Sequence, residues 1–275
     1  MKFLKMSAIA IMAIASCMGF VSCSDDDKDE PNGGGEEQTS VVNPSNVFTA
    51  GVPKQVGGMS VTTGSNGLVT AMTNTGDGVK ITFTYPSMSR AENYDVIMTV
   101  DDEGDKNVFN LQLNDLGFAK YCKQIESDGD IEEWWFEYNT DGQLTKMTRS
   151  EGDNEVHEIT YANGNIVKVK EIHTDHDGDN NWVISYGSTL IENKGCIMLF
   201  DEIFGIDMDE MKYAYFAGLL GKATKNLPAE KVDLIDGDKG TYTWTLNANG
   251  LPIKLVSVGF GDDWEDEPQT MEFVW

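Results

Sequence analysis

The sequence predicts a mostly β protein: an antiparallel β-meander of repeated hairpins, with one helix near residues 207–221. Three observations predict it. From about residue 44 onward, apolar and polar residues alternate over runs of roughly five to eight. Gly, Asn and Asp punctuate those runs. A short motif also recurs: Asp141-Gly142-Gln143-Leu144-Thr145-Lys146-Met147 matches Asn163-Gly164-Asn165-Ile166-Val167-Lys168-Val169 and Asn249-Gly250-Leu251-Pro252-Ile253-Lys254-Leu255, with looser copies at Asn66-Gly67 and Leu116-Gly117. Asn-Gly and Asp-Gly pairs accept positive φ at both central positions, so each copy is expected to be a hairpin with a two-residue turn.

In chain order, the first element is a leader. Lys2 and Lys5 precede an uncharged apolar run over residues 6–15. About ten residues suit a signal h-region, whereas a bilayer span needs about twenty. Residues 1–22 are therefore expected to be a lipoprotein signal peptide, with lipidation at Cys23. Cys17 follows a tighter small-residue pattern, Ile14-Ala15-Ser16, but residues 18–22 prolong the apolar run past it. Polarity changes only at Ser24-Asp25-Asp26-Asp27-Lys28-Asp29-Glu30. An ordinary secretory cleavage near Ser22 is the alternative. The acidic run resembles the surface-export signal of Bacteroidetes lipoproteins, which implies an outer membrane lipoprotein facing the cell exterior. A solvated tether on the periplasmic face is the alternative.

Residues 23–43 are rich in Asp, Glu, Gly, Pro and Ser, a composition too polar to fold, and read as an acidic, Gly-rich tether. Residues 44–275 are expected to form a single β-rich domain, long enough for a real core. The break in the alternation comes where Met208, Met211, Tyr215 and Leu219 fall at helical spacing, with Asp207 or Asp209 as cap. Such a stripe reads as core packing. Cys122 and Cys196 are no disulfide framework, and the sequence leaves open whether they pair or stay free thiols.

The chain carries 20 basic and 46 acidic residues, a net charge of −26. That charge repels nucleic acid and anionic lipid heads, so no nucleic acid partner is expected. The expected partners are the membrane, through the N-terminal lipid, and a glycan or a surface protein.

Four segments are similar to a known family: residues 43–58, Asn193-Lys194-Gly195, residues 205–211, and Gly221-Lys222-Ala223-Thr224-Lys225-Asn226-Leu227-Pro228. They resemble an uncharacterised Bacteroidetes lipoprotein domain of unknown function with a porin-like fold. The resemblance implies a sheet curled into a barrel-like body, and it implies no activity. A membrane pore is not expected, because spanning strands need about nine to eleven residues.

The sequence assigns no catalytic residue, no metal ligand and no cofactor. His173-Thr174-Asp175-His176-Asp177-Gly178-Asp179 offers imidazoles and carboxylates, yet its spacing fits no zinc motif. As a calcium loop starting at Asp175, it would have Asn180 and Tyr186 where Gly and Glu are needed. It reads as an acidic hairpin turn. Two tryptophans stand among acids: Trp135 between Glu133 and Glu137, and Trp264 within Asp262-Asp263-Trp264-Glu265-Asp266-Glu267. They are the candidate ligand-binding residues, because an exposed indole stacks on a sugar face or anchors an interface. The preferred expectation is thus a non-catalytic binding module. The alternative is a carrier of a hydrophobic ligand, with Trp134, Phe136, Tyr138, Tyr242, Trp244 and Leu246 lining the cavity. A hydrolase comes third, since no pair among the 46 acids stands out.

Overall fold

A computed structural model describes residues 42–74, 76–86, 94–150, 154–173, 180–259 and 267–275. The chain divides into a unit of residues 1–39 and a unit of residues 40–275, and the described residues all lie in the second. Cys23, the leader and the tether up to residue 41 therefore fall outside them, as do Trp264 and residues 174–179.

Sixteen strands lie among the described residues. In chain order they are β1 (Gln55–Val56), β2 (Met59–Thr63), β3 (Val69–Thr73), β4 (Lys80–Thr84), β5 (Val96–Asp102), β6 (Asp105–Leu113), β7 (Ala119–Ile125), β8 (Ile131–Tyr138), β9 (Leu144–Arg149), β10 (Glu155–Ala162), β11 (Asn165–Ile172), β12 (Asn181–Ser185), β13 (Glu230–Asp233), β14 (Lys239–Leu246), β15 (Pro252–Val258) and β16 (Gln269–Val274). Each pairs antiparallel with its sequence neighbours. β1 also pairs with β16 through Gln55↔Val274 and Val56↔Phe273, which closes the barrel. Closure leaves none of these sixteen strands with an unpaired edge.

The repeat turns divide into two kinds. Asn163 and Gly164 have φ of 54° and 81°, and Ala162 pairs with Asn165, so this copy is the two-residue turn that the sequence predicts. The other two copies depart from it. At Asp141-Gly142 the Asn139 N–H donates to the Gln143 carbonyl, which makes a three-residue loop with only the glycine at positive φ. The reason is the residue three before the glycine. Asn139 accepts from the Asp141 and Gln143 N–H groups, and Asn247 does the same for Asn249 and Leu251. Such a side-chain acceptor favours the wider turn. Tyr161 holds the equivalent position before Gly164 and offers no such acceptor.

The barrel is filled by its own chain. The long connection between β12 and β13 enters the lumen and buries Ile197, Phe200, Ile203, Phe204, Met211 and Tyr215 against the inward faces of the strands. It holds a π-helical turn, Phe200–Phe204, and a 3-10 helix, Asp209–Tyr215. The helix expected near residues 207–221 is thus a shorter 3-10 run. The residue at its N-cap position is Met208, which supplies no side-chain capping bond, rather than the expected Asp207 or Asp209; Asp207, one residue earlier, accepts the Asp209 N–H at 3.0 Å. The stripe Met208, Met211, Tyr215 and Leu219 is fully buried, as core packing requires. Tyr215 sits between Phe48, Phe200 and Phe216, and its hydroxyl donates to the Cys196 carbonyl.

Backbone bonds seat this plug on the repeat turns. The Lys222 N–H donates to the Gly142 carbonyl at 2.8 Å and the Lys225 N–H to the Gly164 carbonyl at 2.9 Å. Cys122 and Cys196 are free thiols.

Candidate functional site

The outer wall carries the first candidate. On β8 the side chains alternate, with Trp134 and Phe136 buried and Glu133, Trp135 and Glu137 pointing outward. Trp135 is 41 % exposed. Its register partners are Tyr121 on β7 and Thr148 on β9. The Tyr121 and Trp135 rings lie 5.9 Å apart, tilted by 53°. The Tyr121 hydroxyl donates to Glu133 at 2.5 Å, which fixes the tilt of the phenol. In the register flanking the rings, Lys123 stands opposite Glu133 and Glu137 opposite Lys146. The result is an aromatic step on a rigid wall, bordered by hydrogen-bonding groups of both signs. Of the two tryptophans singled out by sequence, the structure places Trp135 in the open; Trp264 lies outside the described residues.

The residues proposed to line a ligand cavity behave differently. Trp134 and Phe136 are buried in the core, and the Tyr242 hydroxyl donates to the Glu202 and Ile203 carbonyls of the plug. The Trp244 indole donates to the Pro228 carbonyl at 2.8 Å, while Leu246 is exposed. The lumen at this level is therefore protein interior, because the connection between β12 and β13 occupies it.

The second candidate is polar and lies inside one mouth of the barrel. There the inward positions of β8 to β11 and of β13 change from apolar to charged. Glu132 and Arg149 pair at 2.8 Å, both buried, and Arg149 also reaches Asp207 of the plug at 3.1 Å. The guanidinium lies 5.0 Å from the Trp134 ring centre, a cation–π contact. Burial raises the Glu132 carboxyl above the usual carboxylate range, against the pull of Arg149. On β13, burial pushes the Lys231 ammonium down to about 8, partly opposed by Asp233, Glu202 and Asp201.

Beside Arg149, β10 and β11 contribute Glu155, His157 and Glu171. His157 is fully buried and stands opposite Glu171 in the ladder. Its Nε2 contacts the Glu155 carboxylate. His173 Nε2 lies 2.8 Å from Glu171 Oε1, and the Asn180 amide donates to Glu171 Oε2 at 2.6 Å. One donor atom each from Glu155, His157 and Glu171 lies within 4.8 Å of the others. Sequence reasoning missed this group, because the longer acidic run 173–179 drew attention to the hairpin loop. A signal was present: Glu155-Val156-His157 and Glu171-Ile172-His173 repeat Glu-x-His on the two strands that flank the Asn163-Gly164 turn.

Together these features define a closed, up-and-down antiparallel barrel with an apolar chain plug and one polar mouth. The chain belongs to the family described as a domain of unknown function (DUF4595) with porin-like fold, which matches residues 59–254. A porin-like protein from Bacteroides uniformis of known crystal structure is similar in fold, with a TM-score of 0.61 at 19 % identity over 78 % of this chain and 88 % of that one. No curated protein matches the chain.

Proposed function

We propose that the protein is a lipid-tethered, non-catalytic binding module on the outer face of the outer membrane, and that its wall at Trp135 and Tyr121 takes the face of a sugar ring. The observation that carries this reading is the exposure of Trp135 in the middle of a rigid strand, beside a phenol whose tilt is fixed by Glu133. Indoles of this kind stack on sugars or anchor interfaces at little entropic cost. Lys123, Glu137 and Lys146 border the step and supply hydroxyl partners.

The barrel also supports a body that sits in water rather than in lipid. Its described strands are two to nine residues long, and Lys, Glu and Thr occupy outward positions on β8 and β9. Spanning strands need about nine to eleven residues and an apolar outer band. The anchor is then Cys23, and the acidic residues after it direct surface display.

A glycan array followed by calorimetry on the best hit tests the site. Trp135→Ala is expected to abolish binding, and Tyr121→Ala to weaken it about tenfold, with thermal unfolding little changed. Binding that survives Trp135→Ala sinks the assignment. Capture of a protein by the wild type, lost in Trp135→Ala, with no glycan bound, overturns the sugar reading in favour of a protein interface.

A further inference from the structure

We propose that Glu155, His157, Glu171 and His173 form a binding site for one divalent first-row transition cation, of the zinc class, inside the polar mouth of the barrel. The whole chain has three histidines, and two of them, His157 on β10 and His173 just past the end of β11, contact the carboxylates of this group. The placement follows from the sheet. Residues two apart on a strand share a face, so Glu155 and His157 point the same way, as do Glu171 and His173. The antiparallel register sets His157 against Glu171, and the pairing of Val156 with Ile172 brings the next step, Glu155 and His173, alongside.

The donor chemistry fits. Neutral imidazole and carboxylate are the nitrogen and oxygen ligands of zinc and its neighbours. Ligand atoms at about 2.0–2.2 Å from a tetrahedral ion lie about 3.3–3.6 Å apart. The three grouped donors already lie within 4.8 Å of one another, so small side-chain rotations close the set. His173, 2.8 Å from the same Glu171, is the fourth ligand. The Asn180 amide on the far oxygen of Glu171 orients that carboxylate, as outer partners of metal ligands do.

Two features bear on a bound cation. His157 is completely buried, and the ring nitrogen it turns toward the group, Nε2, faces the Glu155 carboxylate, so an ion there would be held by an imidazole that the core already fixes in place. The electrostatics point the same way. Glu132, Glu155, Glu171 and Asp207 converge on the mouth, where Arg149 serves Glu132, Asp207 and, through space, Glu155, with Lys231 on β13 as the other cation described there. Buried carboxylates are paired or coordinate metals. The site is independent of the wall at Trp135.

The test uses the full chain without an affinity tag, stripped with EDTA and titrated with zinc against a chromophoric chelator at pH 7.5. One equivalent is expected to bind more tightly than about 1 μM. Glu155→Gln with Glu171→Gln should weaken it about a hundredfold or more. His173→Ala, at a partly exposed position that the fold tolerates, should weaken it about tenfold. Cobalt in place of zinc should give visible absorption bands that change in His173→Ala, a readout of ligation rather than of folding. Absence of a saturable equivalent in the wild-type chain overturns the proposal. So does zinc binding of equal strength in both variants, which would assign the metal to the surface acids.

Discussion

Gly221 and Gly237 share the same backbone angle, a φ of 83°, but differ in what surrounds them. At Gly237 nothing lies within 4 Å of where a Cβ would stand. At Gly221 a Cβ would meet the Gly142 carbonyl oxygen at 2.7 Å and the Tyr138 ring at 2.8 Å and 3.0 Å. Neither neighbour yields easily. The carbonyl accepts the Lys222 N–H, and the Tyr138 hydroxyl donates to the Ala119 carbonyl while its ring packs on Phe118. An alanine at either position costs about 1–2 kcal/mol in left-handed backbone strain. It recovers about 0.4–1 kcal/mol from the stiffer unfolded chain. These terms cancel between the two sites. What remains at Gly221 is overpacking of about 1–3 kcal/mol. Gly221→Ala should therefore lose that much more stability than Gly237→Ala. Urea unfolding of both variants and the wild type, with equal m-values, measures it. Equal losses within about 0.5 kcal/mol would refute the claim that the plug is clamped tightly against the repeat turns.

Lys231→Met should stabilise the protein at neutral pH. The lysine titrates near 8 in the folded chain against 10.5 when unperturbed, because it is buried. Below 8 the folded state carries a charge that burial disfavours. Between 8 and 10.5 the unfolded state binds more protons, so this penalty is relieved as pH rises. The gain from Lys231→Met should be at most about 3 kcal/mol at pH 7 and should shrink as pH rises toward 10; a gain that does not change with pH contradicts the assignment. For the anchor, Cys23→Ala should release or mislocalise the protein, whereas Cys17→Ala should leave it attached. Replacing Asp25, Asp26 and Asp27 with Ala should keep the lipid and lose surface display, read by whole-cell protease shaving with membrane fractionation. Membrane attachment of the Cys23→Ala protein would defeat the anchor, and unchanged shaving of the triple variant would defeat the export signal.

The wall was legible in the sequence because strand faces and turns are local. Alternation at residues 132–138 separated the face of Trp135 from that of Trp134 without saying which points inward; the flanking Glu133 and Glu137 suggested that Trp135 faces solvent, and Asn163-Gly164 marked a two-residue turn. The turns at Gly142 and Gly250 read less well, since the deciding group is an Asn side chain three residues earlier. The plug was half legible. The stripe from Met208 to Leu219 marked packing, but nothing local says that its partners are the inner faces of strands from both ends of the chain. The mouth site was hidden for a similar reason. Pairing His157 with Glu171 requires the register across the Asn163-Gly164 hairpin, including its shift between Thr160 and Tyr161. A linear scan instead weighs the dense run at 173–179.

The closing seam has a consequence for how the molecule assembles. Gln55 and Val274 sit near opposite ends of the described residues, and their pairing is the last turn of a wall whose interior holds the connection between β12 and β13. Hairpins close in microseconds, but contacts so distant in sequence are slow to form. A wall zipped shut before the plug is seated would strand Tyr215 and its neighbours outside. Topology predicts an order of hairpins first, the plug next, and the β1–β16 seam last. Until the seam closes, β1 and β16 are open strand edges of the kind that pair with other chains. A protein delivered to its destination unfolded would thus meet its greatest risk of aggregation in that final step. In refolding, the fluorescence of Trp275, beside the seam, should be the last signal to reach its native value.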